Sequence, residues 1–105
     1  MKTILITAAL AAAFGMAPAL ASETLAKSKQ CFACHAVDKE LSGPSFKAIA
    51  KLHKGTPDAE AKLADKIKKG GAEHWGDKVM PSAEARGVKT SDADAKRLAK
   101  WVLRQ

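Results

Sequence analysis

Cys31-Phe32-Ala33-Cys34-His35 places two thiols and an imidazole in one short run. A Cys-x-x-Cys-His run is the attachment signature of c-type haem. Each thiol can add to one vinyl group of the porphyrin, and the two-residue spacer matches the separation of those vinyls. His35 then lies where its imidazole reaches the iron from beside the ring face. Three other chemistries compete for the pair. A thioredoxin-type dithiol needs a βαβ context, and nothing in the chain reads as a run of β-branched strands. A structural zinc site needs four ligands, and the chain offers only Cys31 and Cys34 with His35, His53 and His74. A disulfide closing so small a loop would constrain little of the unfolded chain. Haem attachment is the reading that these residues favour.

The N-terminal residues point to export. Met1-Lys2-Thr3 is a short basic start, a mostly apolar run follows from Ile4 to Met16, and Ala17-Pro18-Ala19-Leu20-Ala21 contains Ala-x-Ala twice. The pattern is that of a secretory signal peptide over residues 1–21, cut after Ala21 or, as the less favoured site, after Ala19. The apolar run is short for a membrane span, and Gly15 and Pro18 weaken its end. An uncleaved anchor is the lesser alternative. No second apolar segment of spanning length follows, so no stable membrane insertion is expected. In bacteria c-type haem is attached outside the cytoplasm, so export and attachment motif agree on the periplasm.

The expected mature domain, residues 22–105, has 84 residues and is a single small domain. At that size an unaided hydrophobic core is marginal, and a buried porphyrin would supply apolar surface for a few helices to pack on. Its seventeen Lys and Arg against eleven Asp and Glu give a formal charge of +6. Two ionised propionates would lower this to about +4. A positive surface favours acidic partners and electrostatically steered encounter. Nucleic acid is not expected as a partner, because the lysines are interleaved with acids and alanines and form no concentrated basic run.

The elements that must hold the site read as helices between Gly- and Pro-marked loops. Ser22 caps a first helix that leads into Cys31, with Glu23 in its first turn. Gly43-Pro44-Ser45 breaks the chain. Phe46, Ile49, Ala50 and His53 then recur at helical spacing up to Gly55. Thr56-Pro57 restarts a helix with a capping side chain and Pro at the first helical position. Ala59, Leu63 and Ile67 share a face, Lys66, Lys68 and Lys69 sit near the C-terminal end, and Gly70-Gly71 stops the helix. A loop from Ala72 to about Thr90 carries Trp75, Met80 and Pro81. Ser91 starts the last helix, with Asp92 and Asp94 in its first turn and Ala95, Leu98, Ala99 and Val102 as its stripe. The expected fold is all-α, about four short helices wrapped around one covalently bound haem.

Met1 and Met16 would leave with the signal peptide, so Met80 is the one thioether available to a processed protein as second axial ligand. Its simpler reading is a core gap-filler. His53 and His74 are rival imidazole ligands, and an open iron position is a third alternative. His53 shares a face with Phe46 and Ile49, as a partly buried core histidine would, and His74 lies in a loop.

The whole mature region resembles the small bacterial class I cytochromes c of the c-551 type. The likeness rests on Cys31–His35, Gly43-Pro44, the Ala64-Asp-Lys-Ile-Lys-Lys-Gly70 helix end, Trp75-Gly76, Met80-Pro81 and the Leu98-Ala-Lys-Trp-Val-Leu103 ending. It implies thioether bonds from Cys31 and Cys34 and axial ligation by His35 and Met80. It also implies that the Pro44 carbonyl accepts a hydrogen bond from the His35 ring, and that the Trp75 indole reaches a haem propionate. Trp101 reads as helix packing.

The chain departs from that pattern at Val79, where Pro is frequent, at Ala83, where an Asn is common, and at Phe46, often Tyr. These changes bear on the stiffness of the methionine loop and on the redox potential. The implied function is a monomeric periplasmic carrier of single electrons with one haem c, and no catalysis. Its expected partners are redox proteins such as nitrite reductase, a terminal oxidase, a cytochrome peroxidase or the quinol-oxidising complex. Lys27, Lys29, Lys39, Lys47 and Lys78 are the expected docking cations. The alternative class is a haem enzyme or gas-binding module in which Met80 is displaced.

Overall fold

The computed structural model describes residues 17–105, with side chains from Ser22 onward. The expected signal segment therefore falls outside the described residues at positions 1–16. Four α-helices follow in order, α1 (Ala17–Ser28), α2 (Phe46–His53), α3 (Ala59–Lys69) and α4 (Asp92–Leu103), with a 3₁₀ turn at Cys31–Ala33. Among the described residues the extended pairing is confined to two single antiparallel bridges, His35 with Glu40 and Gly71 with Met80.

Two of the helix starts lie where the sequence puts them. The Ser45 side chain accepts from the Ala48 amide at 3.0 Å and caps α2. Ser91 accepts from the Asp94 amide at 3.1 Å and caps α4. Each cap satisfies an N–H that the first helical turn leaves without an intrahelical partner, a contribution of about 1 kcal/mol.

The other two starts differ. Ser22 lies inside α1 and caps nothing, because the helix runs unbroken from Ala17 through the expected cut after Ala21. Helix α3 begins two residues later than Thr56-Pro57 suggests, at Ala59. Asp58 precedes it in the left-handed region at φ 58°, without a side-chain cap. Asp is among the few side chains that tolerate this conformation.

Helix α4 packs against each of the other three, most extensively against α3. Its stripe of Ala95, Leu98, Ala99 and Val102 is buried, and it meets Leu63, Ala64 and Ile67 of α3, Ala26 of α1 and Phe46 of α2 in one core. Trp101 is buried edge-on to Phe46, with ring centroids 4.9 Å apart, and Phe32 completes the cluster. Offset and edge-on aromatic pairs of this kind add to the burial of their surface. Phe32 lies within the attachment motif, so the aromatic cluster anchors the motif to α4.

Candidate functional site

Helix α1 ends in a tight reversal. Gln30 takes a left-handed conformation at φ 63°, and the Cys34 and His35 amides both donate to the Cys31 carbonyl, at 3.3 and 3.0 Å. This folds Cys31, Cys34 and His35 into one turn. Both cysteines are free thiols, Cys31 buried and Cys34 half-buried. A cleft of about 830 Å³ opens beside them. It brings together all six residues singled out in the sequence: Cys31, Cys34, His35, Pro44, Trp75 and Met80.

His35 is fixed from two sides. Its ring stacks on Phe46, with centroids 5.3 Å apart and planes 27° apart. Its Nδ1 lies 2.7 Å from the Pro44 carbonyl oxygen. A carbonyl only accepts, so Nδ1 donates and Nε2 is left with its lone pair, the tautomer a metal ligand requires. Burial holds the imidazole below its usual pKa, against the pull of the Pro44 bond, and the Arg86 charge adds to the lowering. Gly43 makes the approach possible. A Cβ there would lie 2.7 Å from His35 Cε1 and 2.9 Å from Nδ1, inside normal contact.

Met80 is held by backbone pairing. Its amide donates to the Gly71 carbonyl at 3.0 Å, and its carbonyl accepts from the Gly71 amide at 2.9 Å. Gly70, at φ 68°, ends α3 beneath this bridge, and a Cβ on it would collide with the Met80 carbonyl and meet Pro81 and Ser82 backbone atoms at 2.7 Å. Val79, beside Met80, is strongly exposed at 68%. The half-buried Trp75 also lines the cleft. His53 and His74, the rival ligands, lie on the same cleft, with ring centroids 6.1 Å apart.

The docking lysines need correction. Of the five expected, only Lys78 lines the cleft; the others at its wall are Lys62, Lys66 and Lys69, all from α3. Lys27 pairs with Glu23, Lys47 with Asp38, and Lys29 with Asp94 and the Lys89 carbonyl. Flanking the motif in sequence does not put a side chain on its open side, because the turn at Gln30 and the bend after His35 lead the chain away from it.

One residue of the cleft carried no signal in the sequence. Arg86 donates from Nη1 to the Lys29 carbonyl and from Nη2 to the Ile67 carbonyl, both at 3.2 Å, and from Nε to the Ser82 carbonyl at 3.4 Å. It lines the same cleft as Cys31. Burial pushes that thiol's pKa up, while the Arg86 charge and hydrogen bond pull it down. No motif or periodicity marks Arg86, because its partners are backbone carbonyls distant in sequence.

The donor set fits a covalently held tetrapyrrole. Two free thiols flank a neutral imidazole at one cleft, a thioether lines the same cleft, and much of the wall is apolar, including Ile49, Leu52 and Leu63. Sites for large organic cofactors are concave and largely apolar with a few placed polar groups.

Residues 19–105 match the family model described as cytochrome c. The chain is 45% identical over 83 residues to cytochrome c-551 of Pseudomonas aeruginosa, covering 79% of this chain and 75% of that protein. It is 42% identical over 103 residues to cytochrome c-552 of Nitrosomonas europaea, covering 98% of this chain and 92% of that protein. The crystal structure of wild-type Nitrosomonas europaea cytochrome c552 superposes with a TM-score of 0.71 at 43% identity, covering 78% of this chain and 96% of that one.

Proposed function

This chain belongs to the cytochrome c family, whose members carry electrons on covalent haem c, and from that premise we propose that it is a periplasmic single-electron shuttle whose iron is held between His35 and Met80. One observation carries the ligand assignment: both Cys31 and Cys34, the neutral imidazole of His35 and the thioether of Met80 line a single cleft.

Haem c supplies an iron that accepts and releases one electron. The residues of the chain do the rest. Cys31 and Cys34 would hold the cofactor through thioether bonds, each thiol adding across one vinyl group. The Pro44 carbonyl orients His35 and raises the basicity of its free nitrogen, the role a partner behind a metal-bound imidazole plays. Met80 offers a soft sulfur, which favours the reduced state and raises the potential. If His35 and Met80 both held the iron, the protein would leave small substrates no place on it. Trp75 lines the cleft, and its indole N–H is the proposed partner of a propionate.

Redox proteins are the partners of such a carrier, and nitrite reductase, a terminal oxidase, a cytochrome peroxidase and the quinol-oxidising complex are the proposed ones. Residues 1–21 are proposed to direct export and then be removed, leaving a monomeric domain of residues 22–105. Among the described residues no helix is long and apolar enough to cross a membrane. The visible spectrum of the oxidised holoprotein tests the ligand pair. Methionine ligation gives a weak far-red charge-transfer band. Its absence, with ready carbon monoxide binding by the reduced form, would defeat the assignment of Met80.

A further inference from the structure

We propose that Arg86 is a positioning residue that staples the methionine segment to the attachment turn and, by its fixed charge, raises the reduction potential of the centre. The inference rests on the reading that haem occupies the cleft. Three carbonyls carry the staple, and each belongs to a different part of the site. Lys29 immediately precedes Gln30 and the attachment turn, Ile67 lies in the last turns of α3 just before Gly70, and Ser82 follows Met80-Pro81. One guanidinium therefore ties the start of the haem motif, the helix end that bridges Met80, and the segment leaving Met80.

The same segment is docked by its own backbone. The Ala83 amide donates to the Lys68 carbonyl at 3.0 Å, and the turn closes through Val88 to Ala83 at 3.0 Å and Gly87 to Glu84 at 2.9 Å. Arg86 projects from this turn toward the cleft, which it lines. Ala83 itself is buried, where the related pattern often has an Asn. The polar clamp on the methionine segment is thus supplied from Arg86.

The charge argument is independent of the staple. Among the described residues Arg86 has no carboxylate within ion-pair distance; its donors meet carbonyl dipoles. It is half-buried and lines the same cleft as Cys31 and His35. The oxidised centre carries one more positive charge than the reduced centre, so a fixed cation nearby destabilises the oxidised state more. In a partly desolvated setting such an interaction is screened far less than in bulk water. Lysine would keep the charge and lose the fork, since only the guanidinium presents several donors in a fixed plane.

Redox titration and denaturant titration of the holoprotein test the two roles separately. Arg86→Gln is expected to shift the reduction equilibrium toward the oxidised form by about tenfold, ~59 mV for a one-electron couple. Arg86→Lys is expected to keep most of the wild-type potential but to lose the far-red methionine band at lower denaturant than wild type. A shift under twofold in Arg86→Gln would overturn the charge role, and an unchanged band-loss midpoint in Arg86→Lys would overturn the staple. Where Arg86→Gln does not accumulate as holoprotein, Arg86→Met takes its place for the charge, a shift under twofold overturning that role, and Arg86→Lys decides the staple as before. Failure of the Met80 assignment would show separately, as absence of the band in wild type, and the potentials of the Arg86 variants would still be compared.

Discussion

His35 donates through Nδ1 to the Pro44 carbonyl at 2.7 Å, and Gly43, one residue earlier, leaves no room for a side chain against the same ring. The orientation of the ligand is therefore set by backbone on both counts. Gly43→Ala forces the imidazole or the Cys34–Pro44 backbone to move, and overpacking of this kind costs roughly 1–3 kcal/mol. The expected result is a holoprotein with a lower denaturation midpoint and a shifted potential. A variant equal to wild type in both would show that the ring has freedom the geometry denies it.

Replacing Met80 by Ala removes the thioether while leaving its backbone bridge to Gly71 available. The far-red band should vanish, the reduced form should bind carbon monoxide, and the potential should fall by more than about tenfold in the equilibrium, ~59 mV. Substituting His53 or His74 instead should leave the band in place. If wild type lacked the band and the reduced form bound carbon monoxide in either histidine variant but not in Met80→Ala, the assignment would pass to that histidine.

Lys78 lines the cleft and pairs with Glu40. Lys78→Ala should slow association with an acidic redox partner at low salt by roughly twofold or more, and Glu40→Gln, which frees the cation, should speed it. Both effects should fade as ionic strength rises and the screening length contracts. Stopped-flow kinetics at two salt concentrations reads this. Lys47→Ala serves as the control away from the cleft, and equal slowing by both lysine variants would sink the placement of the docking face.

The pH dependence of stability has a defined sign at His53. Burial, then the charges of His74 and Lys62, hold its imidazole below the ordinary value of 6.5, while Glu73 acts in the opposite sense. A histidine whose folded pKa is depressed binds fewer protons folded than unfolded. Stability therefore rises with pH between the lowered folded value and 6.5, and the penalty is fully present below that window. Denaturant unfolding of the holoprotein across pH 5 to 8 should show a shallower slope in His53→Gln than in wild type. Equal slopes would remove His53 from the account.

What the sequence made legible was local. The attachment motif, the break at Gly43-Pro44-Ser45, the start at Ser91 and the glycine stop at Gly70 are short-range features, and each lies where its residues suggest. The start of α3 was read two residues early, because Thr56-Pro57 is a strong local signal and the left-handed Asp58 leaves none. The lysines at the cleft and the role of Arg86 are illegible in the sequence for a shared reason. Both depend on where a turn aims the chain and on carbonyls far away in sequence, and no spacing rule encodes either.

The antiparallel bridge between Gly71 and Met80 has an implication beyond ligation. It closes residues 72–79 into a self-contained excursion whose two ends are pinned to each other. The excursion holds Trp75, the exposed Val79 and the paired Lys78. Its sequence and even its length can change while the methionine stays where it is, since closure entropy grows only slowly with added residues. The bridge thus insulates the anchor from its surroundings: the exposed segment can drift while the proposed thioether ligand keeps its place.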